Sequence, residues 1–397
     1  MSFDVDDAII EIDKRVRTVR AFAEVDELKD FWASCATHRD ADFDFYLFYL
    51  RNSPEVVRPH VIGLYRDGRP HAMLAGRLEK RGVDIRLGYM RLIKLGLRAL
   101  TFMYGGVLGD ISSAADAKDV ILCIEESLRA GEADAAFLEY LPVDSPLYGC
   151  ARSLPNQVRV NHFAKSCIHH IRNLPRGESF LQSLSSNQRR NQKRRVRRLA
   201  ETFGDRVRIE CFHDASALQR LTEHAESIAG KSYQRSLGVG FANTPEMRKR
   251  LDLEAQKMWL RAHILYLNDQ PCSFWICSYY NGTLYSDFMG FDPEYSKYEP
   301  GMYLVINVIE EICRENQTQK AARIDFGIGD SVWKSILGNQ SWHEESVCIF
   351  APTATAVGVN SLQTFVAAID RAGRAILRRG NLLPRVKRAW RSRIARG

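Results

Sequence analysis

The sequence predicts a mixed α/β (α+β) fold in two halves, and three observations lead there. The chain has 397 residues, beyond the roughly 250–300 at which a single core stops growing. Its second half reads strand, strand, strand, loop, helix, strand, a layout in which a helix covers one face of a mixed sheet. A weak repeat links the halves: "LYRDGRP" (Leu64–Pro70) and "LYLNDQP" (Leu265–Pro271) share Leu, Tyr and Pro at a constant offset of 201.

Each element follows from local pattern. The two repeat segments lie between strand-like apolar runs and read as hairpin turns. "ADAAFLEYLP" (Ala133–Pro142) and "AARIDFGIG" (Ala321–Gly329) both look like a strand after a helix, which places the junction between copies near residues 155–175. In the second half, Ala262–Leu267, Cys272–Tyr280 and Thr283–Phe291 read as consecutive strands, with turns at Asp269-Gln270 and Asn281-Gly282. Val305, Val308, Ile309 and Ile312 then form an i, i+3, i+4, i+7 helical stripe, and Arg323–Phe326 is the next strand. The expected domains are 1–165, 166–355 and a basic C-terminal helix or tail, 356–397.

Composition is ordinary for a globular protein, with 45% hydrophobic and 26% charged residues. No apolar run approaches the ~18 residues of a membrane span. Nine scattered cysteines without a C-x-x-C pair suggest reduced thiols and a cytoplasmic protein. No metal-site spacing occurs; the adjacent His169-His170 would point to opposite faces of a strand. The net charge of +8 is uneven. Arg189–Arg198 holds seven basic residues and Arg371–Gly397 ten, with no acid in either, so the remainder carries −9. Two local anion-attracting elements fit this better than a broad nucleic-acid surface.

"FDPEYSKYEPGMYLVINVIEEI" (Phe291–Ile312) enters a helix through Pro300-Gly301 with no Ser, Thr or Asp as cap. First-turn N–H groups lack helical partners and sit at the positive end of the dipole. They invite an anion, Gly301 allows close approach, and Lys297 can add charge. Pro at an early helical position is also common without any ligand.

Four stretches together resemble the BioF2-like acetyltransferase domain, a double-GNAT relative of the CelD proteins within the GNAT superfamily of N-acyltransferases. They are "SSNQRRNQKRRVRRL" with "ETFG", "KSYQRSLGVGF" (Lys231–Phe241), "FDPEYSKYEPG" and "IDFGIGDSVWK" (Ile324–Lys334). The first half resembles the family only through the repeat and looks like a degenerate copy. The resemblance implies two tandem GNAT-like domains, each a mixed, mostly antiparallel sheet flanked by helices. It implies acetyl-CoA or a longer acyl-CoA as co-substrate, with no metal. Binding is expected at Lys297, Tyr298, Pro300, Gly301, Met302 and Tyr303. Splayed strands beside Thr283–Phe291 would leave backbone N–H groups for the thioester, with Tyr285, Asp287, Met289 and Phe291 sharing a face. Asp287 is the expected base, in competition with a carboxylate simply paired to a nearby Arg. Tyr285, Asp325 and Lys334 complete the implied catalytic set, with Asp330 capping the helix that carries Lys334. Lys231, Tyr233, Gln234 and Arg235 are implied acceptor contacts.

Two departures matter. Glu299-Pro300-Gly301 has one glycine where the usual pyrophosphate loop is glycine-rich. Trp333 stands where the family has Tyr, so a proton donor would be Tyr298, Tyr303 or solvent. These departures keep in play the Fem-type peptidoglycan aminoacyltransferases, which share the double-GNAT layout and use aminoacyl-tRNA, and a non-catalytic binding module. The expected acceptor is an amine of a sugar, nucleotide-sugar or small metabolite, in polysaccharide or lipid biosynthesis; tRNA is disfavoured. Val196, Leu199, Ala200 and Phe203 make the Arg-rich helix amphipathic. Its basic face is either solvated or anion-binding. The tail, with Leu382, Leu383 and Trp390 among its arginines, suits an anionic membrane surface or a disordered soluble segment equally.

Overall fold

The computed structural model describes residues 15–88, 90–175, 179–232, 235, 240–315, 321–329 and 331–379. Tyr233, Gln234, Asp330 and the chain beyond Arg379 lie outside them. In chain order the elements begin with β1 (Val16–Val19), α1 (Phe22–Glu27), α2 (Lys29–Cys35), α3 (Phe43–Asn52), β2 (Val56–Arg66), β3 (Arg69–Leu87), β4 (Met90–Gly109), α4 (Ala114–Arg129), β5 (Ala135–Pro142) and α5 (Pro146–Ser153). There follow β6 (Cys167–Asn173), α6 (Phe180–Ser183), α7 (Ser186–Phe203), β7 (Val207–Phe212), α8 (Leu218–Ala229), α9 (Pro245–Gln256), β8 (Leu260–Leu267), β9 (Gln270–Tyr280), β10 (Thr283–Phe291), α10 (Pro300–Glu315), β11 (Arg323–Ile328) and α11 (Val332–Leu337). The last two are β12 (Gln340–Phe350) and α12 (Ala354–Arg379).

Contacts divide the chain into two compact units. Among the described residues, one holds 15–167 with 343–379 and the other 168–342. The first unit has strand order β1-β2-β3-β4-β5-β12, antiparallel except for the parallel pair β4–β5. The second has β7-β8-β9-β10-β11-β6, again antiparallel except for β10–β11. Each unit is therefore a mixed, mostly antiparallel sheet flanked by helices; five strands follow the same order in both, while the sixth comes last in the chain for the first unit (β12) and first for the second (β6). The equivalent hairpins β2–β3 and β8–β9 turn at Asp67-Gly68 and Asn268-Asp269, all four at positive φ. Asn and Asp tolerate that conformation, which matches the right-handed strand twist. The second turn thus sits one residue earlier than the sequence suggested.

One boundary differs from expectation. Residues 343–355, assigned to the second half, and α12, assigned to a tail, cluster with the first unit. The cause is strand pairing: β12 runs antiparallel to β5 from Glu344↔Pro142 to Phe350↔Ala135. Val347, Ile349, Phe350 and Ala356 thereby enter the first unit's core beside Leu100, Phe102, Ile121 and Leu138. The second unit buries Leu304, Val305, Val308 and Ile309 of α10 against Trp275, Leu284, Ile324 and Phe326. Its opposite sheet face packs Ala262, Ile264, Phe274 and Ile276 under α8 and α9.

Candidate active site

In the second unit, β10 and β11 pair only at Thr283↔Arg323, Leu284↔Ile324 and Tyr285↔Asp325. Beyond that point β10 continues along β9 alone, and β11 along β6 alone. Two parallel strands that part in this way open a wedge whose inner edges have no ladder. The register of β10 against β9 slips between Ser286 and Phe288, making Asp287 a bulge. A bulge adds one residue and breaks the alternation of faces. Asp287 and Phe288 consequently both lie toward α9, while Met289 packs into the α10-side core. The expected shared face of Tyr285, Asp287, Met289 and Phe291 does not form.

Around the apex, Asp287 is a paired carboxylate. Its Oδ1 lies 3.0 Å from Arg250 Nη2, and its Oδ2 lies 3.0 Å from Ser278 Oγ. Glu254, on the same helix as Arg250, takes Arg250 Nε at 2.9 Å and Ser278 Oγ at 2.8 Å. Of the two alternatives the sequence left open for Asp287, the Arg pair is the one present. Asp325 differs: Oδ1 lies 2.7 Å from His169 Nε2 and accepts the Gly327 amide at 2.7 Å, whereas Oδ2 has no partner among the described residues. The His169 ring is buried and stacks on Trp342 at 4.4 Å. Tyr285, the cross-strand neighbour of Asp325, is buried. Lys334 on α11 donates to Ile328 O at 2.7 Å. Burial pushes its ammonium below the ordinary lysine value, and the Asp325 charge offsets part of that.

The loop beyond β10 is firmly held. Buried Asp292 caps a 3₁₀ helix, Pro293–Tyr298, through the Glu294 amide and takes Lys231 Nζ at 2.6 Å. Lys297 lies over the Tyr298 ring, which is buried edge-on to Phe203. Glu299 adopts a left-handed conformation, φ 51°. Its carboxylate turns to Arg195, with both guanidinium contacts at 3.2 Å, rather than back over the first turn of α10. Pro300 opens α10. Met302 and Tyr303 pack partly into the core, and burial raises the Tyr303 phenol above its ordinary value. A Cβ built on Gly301 would meet nothing closer than Phe291 Cδ1 at 3.6 Å, an ordinary contact. The protein's own packing therefore does not demand glycine there.

One expectation about a helix changes. On α7 the buried residues are Gln192, Arg195, Leu199 and Phe203, while Val196 and Ala200 are exposed. The ion pair of buried Arg195 with half-exposed Glu299, and Arg198 donating to Lys297 O, rotate the helix from its apolar stripe. The basic helix thus braces the loop. Of the implied acceptor contacts, Lys231 is engaged by Asp292, and Arg235 by Glu226 and Phe241 O.

The first unit has the same wedge without its chemistry. Its last parallel pair is Phe102↔Leu138, apolar where the second unit has Tyr285↔Asp325. Its corresponding helix, α4, is capped by Ser113 on the Asp116 amide. Asp116, ion-paired to Arg66 at 2.8 Å, sets a negative charge in the first turn. Sequence reasoning missed His169, Ser278, Arg250 and Glu254, and saw Arg195 only as one charge of the basic run. Only the adjacent histidines were visible, and nothing in a linear pattern ties His169 to an aspartate 156 residues away.

Residues 186–335 match the family model described as an acetyltransferase (GNAT) domain. Among solved structures, FemX aligns with a TM-score of 0.54 at 12% identity, covering 84% of this chain and 97% of that one. A tandem GNAT protein from the clavulanic acid biosynthesis pathway aligns at 0.49 and 9% identity, covering 85% and 99%. The C-terminal domain of a putative lysylphosphatidylglycerol synthetase from Agrobacterium fabrum aligns at 0.49 and 10%, covering 85% and 94%. No curated protein sequence matches the chain.

Proposed function

We propose that this chain, whose residues 186–335 match a GNAT acetyltransferase domain and whose fold aligns with FemX, moves an acyl group from acyl-CoA to an amine. The observation that carries this is the wedge between β10 and β11 beside a helix entrance that no side chain of Glu299 covers. The CoA pyrophosphate would sit at the first turn of α10, against the Gly301 backbone. The thioester would lie along the unpaired edge of β10, where N–H groups can take the developing oxyanion. The amine attacks the carbonyl carbon, a C–N bond forms, and the C–S bond breaks to release the CoA thiolate. We assign the amine proton to Asp325 Oδ2, since both Asp287 oxygens are engaged. His169 orients Asp325, and Asp287 with Arg250 positions the bulge. Lys334 faces the charge that develops beside Asp325, and Tyr303 or solvent returns a proton to the thiolate. The acceptor class is an amino group on a sugar, nucleotide-sugar or small metabolite. Aminoacyl transfer from tRNA is the second reading, compatible with the same fold; the net negative remainder of the chain supplies a long RNA track poorly.

Calorimetry with acetyl-CoA tests the donor. Gly301→Ala should fold normally, because its Cβ has room, and bind CoA about tenfold or more weakly. Unchanged affinity would remove the pyrophosphate assignment. Thiol release from acetyl-CoA with amino sugars present tests the transfer. Submicromolar tRNA binding at physiological salt, lost on neutralising Arg190, Lys193 and Arg194, would favour the second reading. Binding of neither donor would leave a non-catalytic module.

A further inference from the structure

Independently of the proposed reaction, we propose that the β3–β4 tip and the outer face of α12 form a docking surface for an anionic lipid bilayer. The hairpin pairs out to Leu87↔Met90. Near its end Met90 is 66%, Leu92 44% and Ile93 42% exposed. The Gly88 amide donates to Asp370 of α12 at 2.9 Å, joining tip and helix. On α12, Leu362, Phe365 and Ile369 follow at spacings of three and four. Phe365 is 63% exposed and the others about as open as the tip. The inward side of α12 is separate, with Ala356, Asn360 and Val366 buried. Exposed apolar side chains gathered on two elements joined by a hydrogen bond mark a candidate interaction surface.

Charge selects the occupant. Arg86 is held by Asp84, and Arg374 by Asp370, but Arg91 and Lys94 make no ion pair among the described residues. The chain continues past α12 with six basic residues from Gly380 onward, no acid, and Leu382, Leu383, Trp390 and Ile394. A second copy of this face would bring like charges together. The phosphate backbone of a duplex would leave most of the exposed Met, Leu, Ile and Phe in water. Anionic lipid takes both parts, the apolar side chains at the acyl boundary and the cations at the headgroups. The sequence pointed to the basic C-terminal helix or tail, 356–397; the folded chain adds the β3–β4 tip and the apolar face of α12.

Vesicle sedimentation of the full chain tests this, with phosphatidylcholine alone and with phosphatidylglycerol added. The chain should bind only the anionic vesicles, and less as salt rises. The double change Met90→Asp and Ile93→Asp, and separately Phe365→Asp, should each weaken partitioning about tenfold or more, with thermal melting unchanged. Met90→Trp should show emission shifting to the blue on anionic vesicles only, a gain of signal that needs no loss of folding. Ending the chain after Arg379 should weaken binding yet keep its dependence on phosphatidylglycerol. The proposal fails if the intact chain ignores anionic vesicles. It fails equally if truncation abolishes binding while the tip and Phe365 changes do nothing, since the tail would then act alone. A concentration-dependent dimer in light scattering, dissolved by Met90→Asp, would assign the face to self-association instead.

Discussion

Asp325 engages one carboxylate oxygen with His169 and Gly327 and leaves the other without a partner among the described residues, so removing its charge should affect turnover far more than folding. Asp325→Asn is expected to lower kcat about a hundredfold or more, the usual scale for a lost general base, with acetyl-CoA affinity close to wild type. Asp287→Asn should separate from it by lowering stability about 1–3 kcal/mol, because Arg250 loses a partly buried partner. Urea titration beside steady-state rates distinguishes the two. His263 supplies a pH test. Burial holds its ring neutral down to about 4, with the Arg261 charge adding to the effect. Between about 6.5 and about 4 the unfolded chain takes a proton that the folded chain refuses. Stability present above pH 6.5 is thus lost as pH falls to 4, by about 3 kcal/mol. His263→Phe should flatten that slope and raise neutral stability, since buried Nδ1 has no hydrogen-bond partner among the described residues.

The same separation between what a line of residues reveals and what folding adds recurs in the elements. The β8–β9–β10 strands and α10 were legible because period and turn chemistry are local: Asn281-Gly282 turns at positive φ, and Val305, Val308 and Ile309 are buried. The Asp287 bulge was not, because a single inserted residue leaves no mark on an apolar alternation and yet flips everything after it. The orientation of α7 was misjudged for another reason. Hydrophobic periodicity assumes that charges face water, and Arg195 is buried against Glu299. Arg195→Met should therefore loosen the loop before α10. Because Glu299 is half-exposed, the stability loss should be modest, about 1–2 kcal/mol. CoA affinity should fall in parallel, measured by calorimetry, and a Glu299→Gln partner change should show non-additivity in a double-mutant cycle. Unchanged CoA binding in Arg195→Met would mean that the brace does not shape the site.

For the whole molecule, two units could be inferred from length and the 201-residue offset, because duplication leaves similar turns. Membership of the units could not, since strand exchange is a matter of pairing and every strand of the second half looks alike in sequence. Val347 is the test. It lies in the first unit's core, fully buried, beside residues numbered below 161. Val347→Asp should expose amides of residues 56–142 to hydrogen exchange while those of 260–328 stay protected. A reversed pattern would place β12 with the second unit.

That placement of β12 has a consequence for how the chain is made. The first sheet cannot be completed by the residues that emerge first. Its closing strand is synthesised only after residues 168–342, a delay of about ten to thirty-five seconds at roughly 5–20 residues per second. During that interval β5 presents an open apolar edge to its surroundings, exposed to any holdase or any second nascent chain on the same message. The later-born unit can be finished while the earlier one still waits. A ribosome stalled near the end of the second unit would therefore display one folded body and one sticky one, so the cost of a truncated product falls on the half that was translated first.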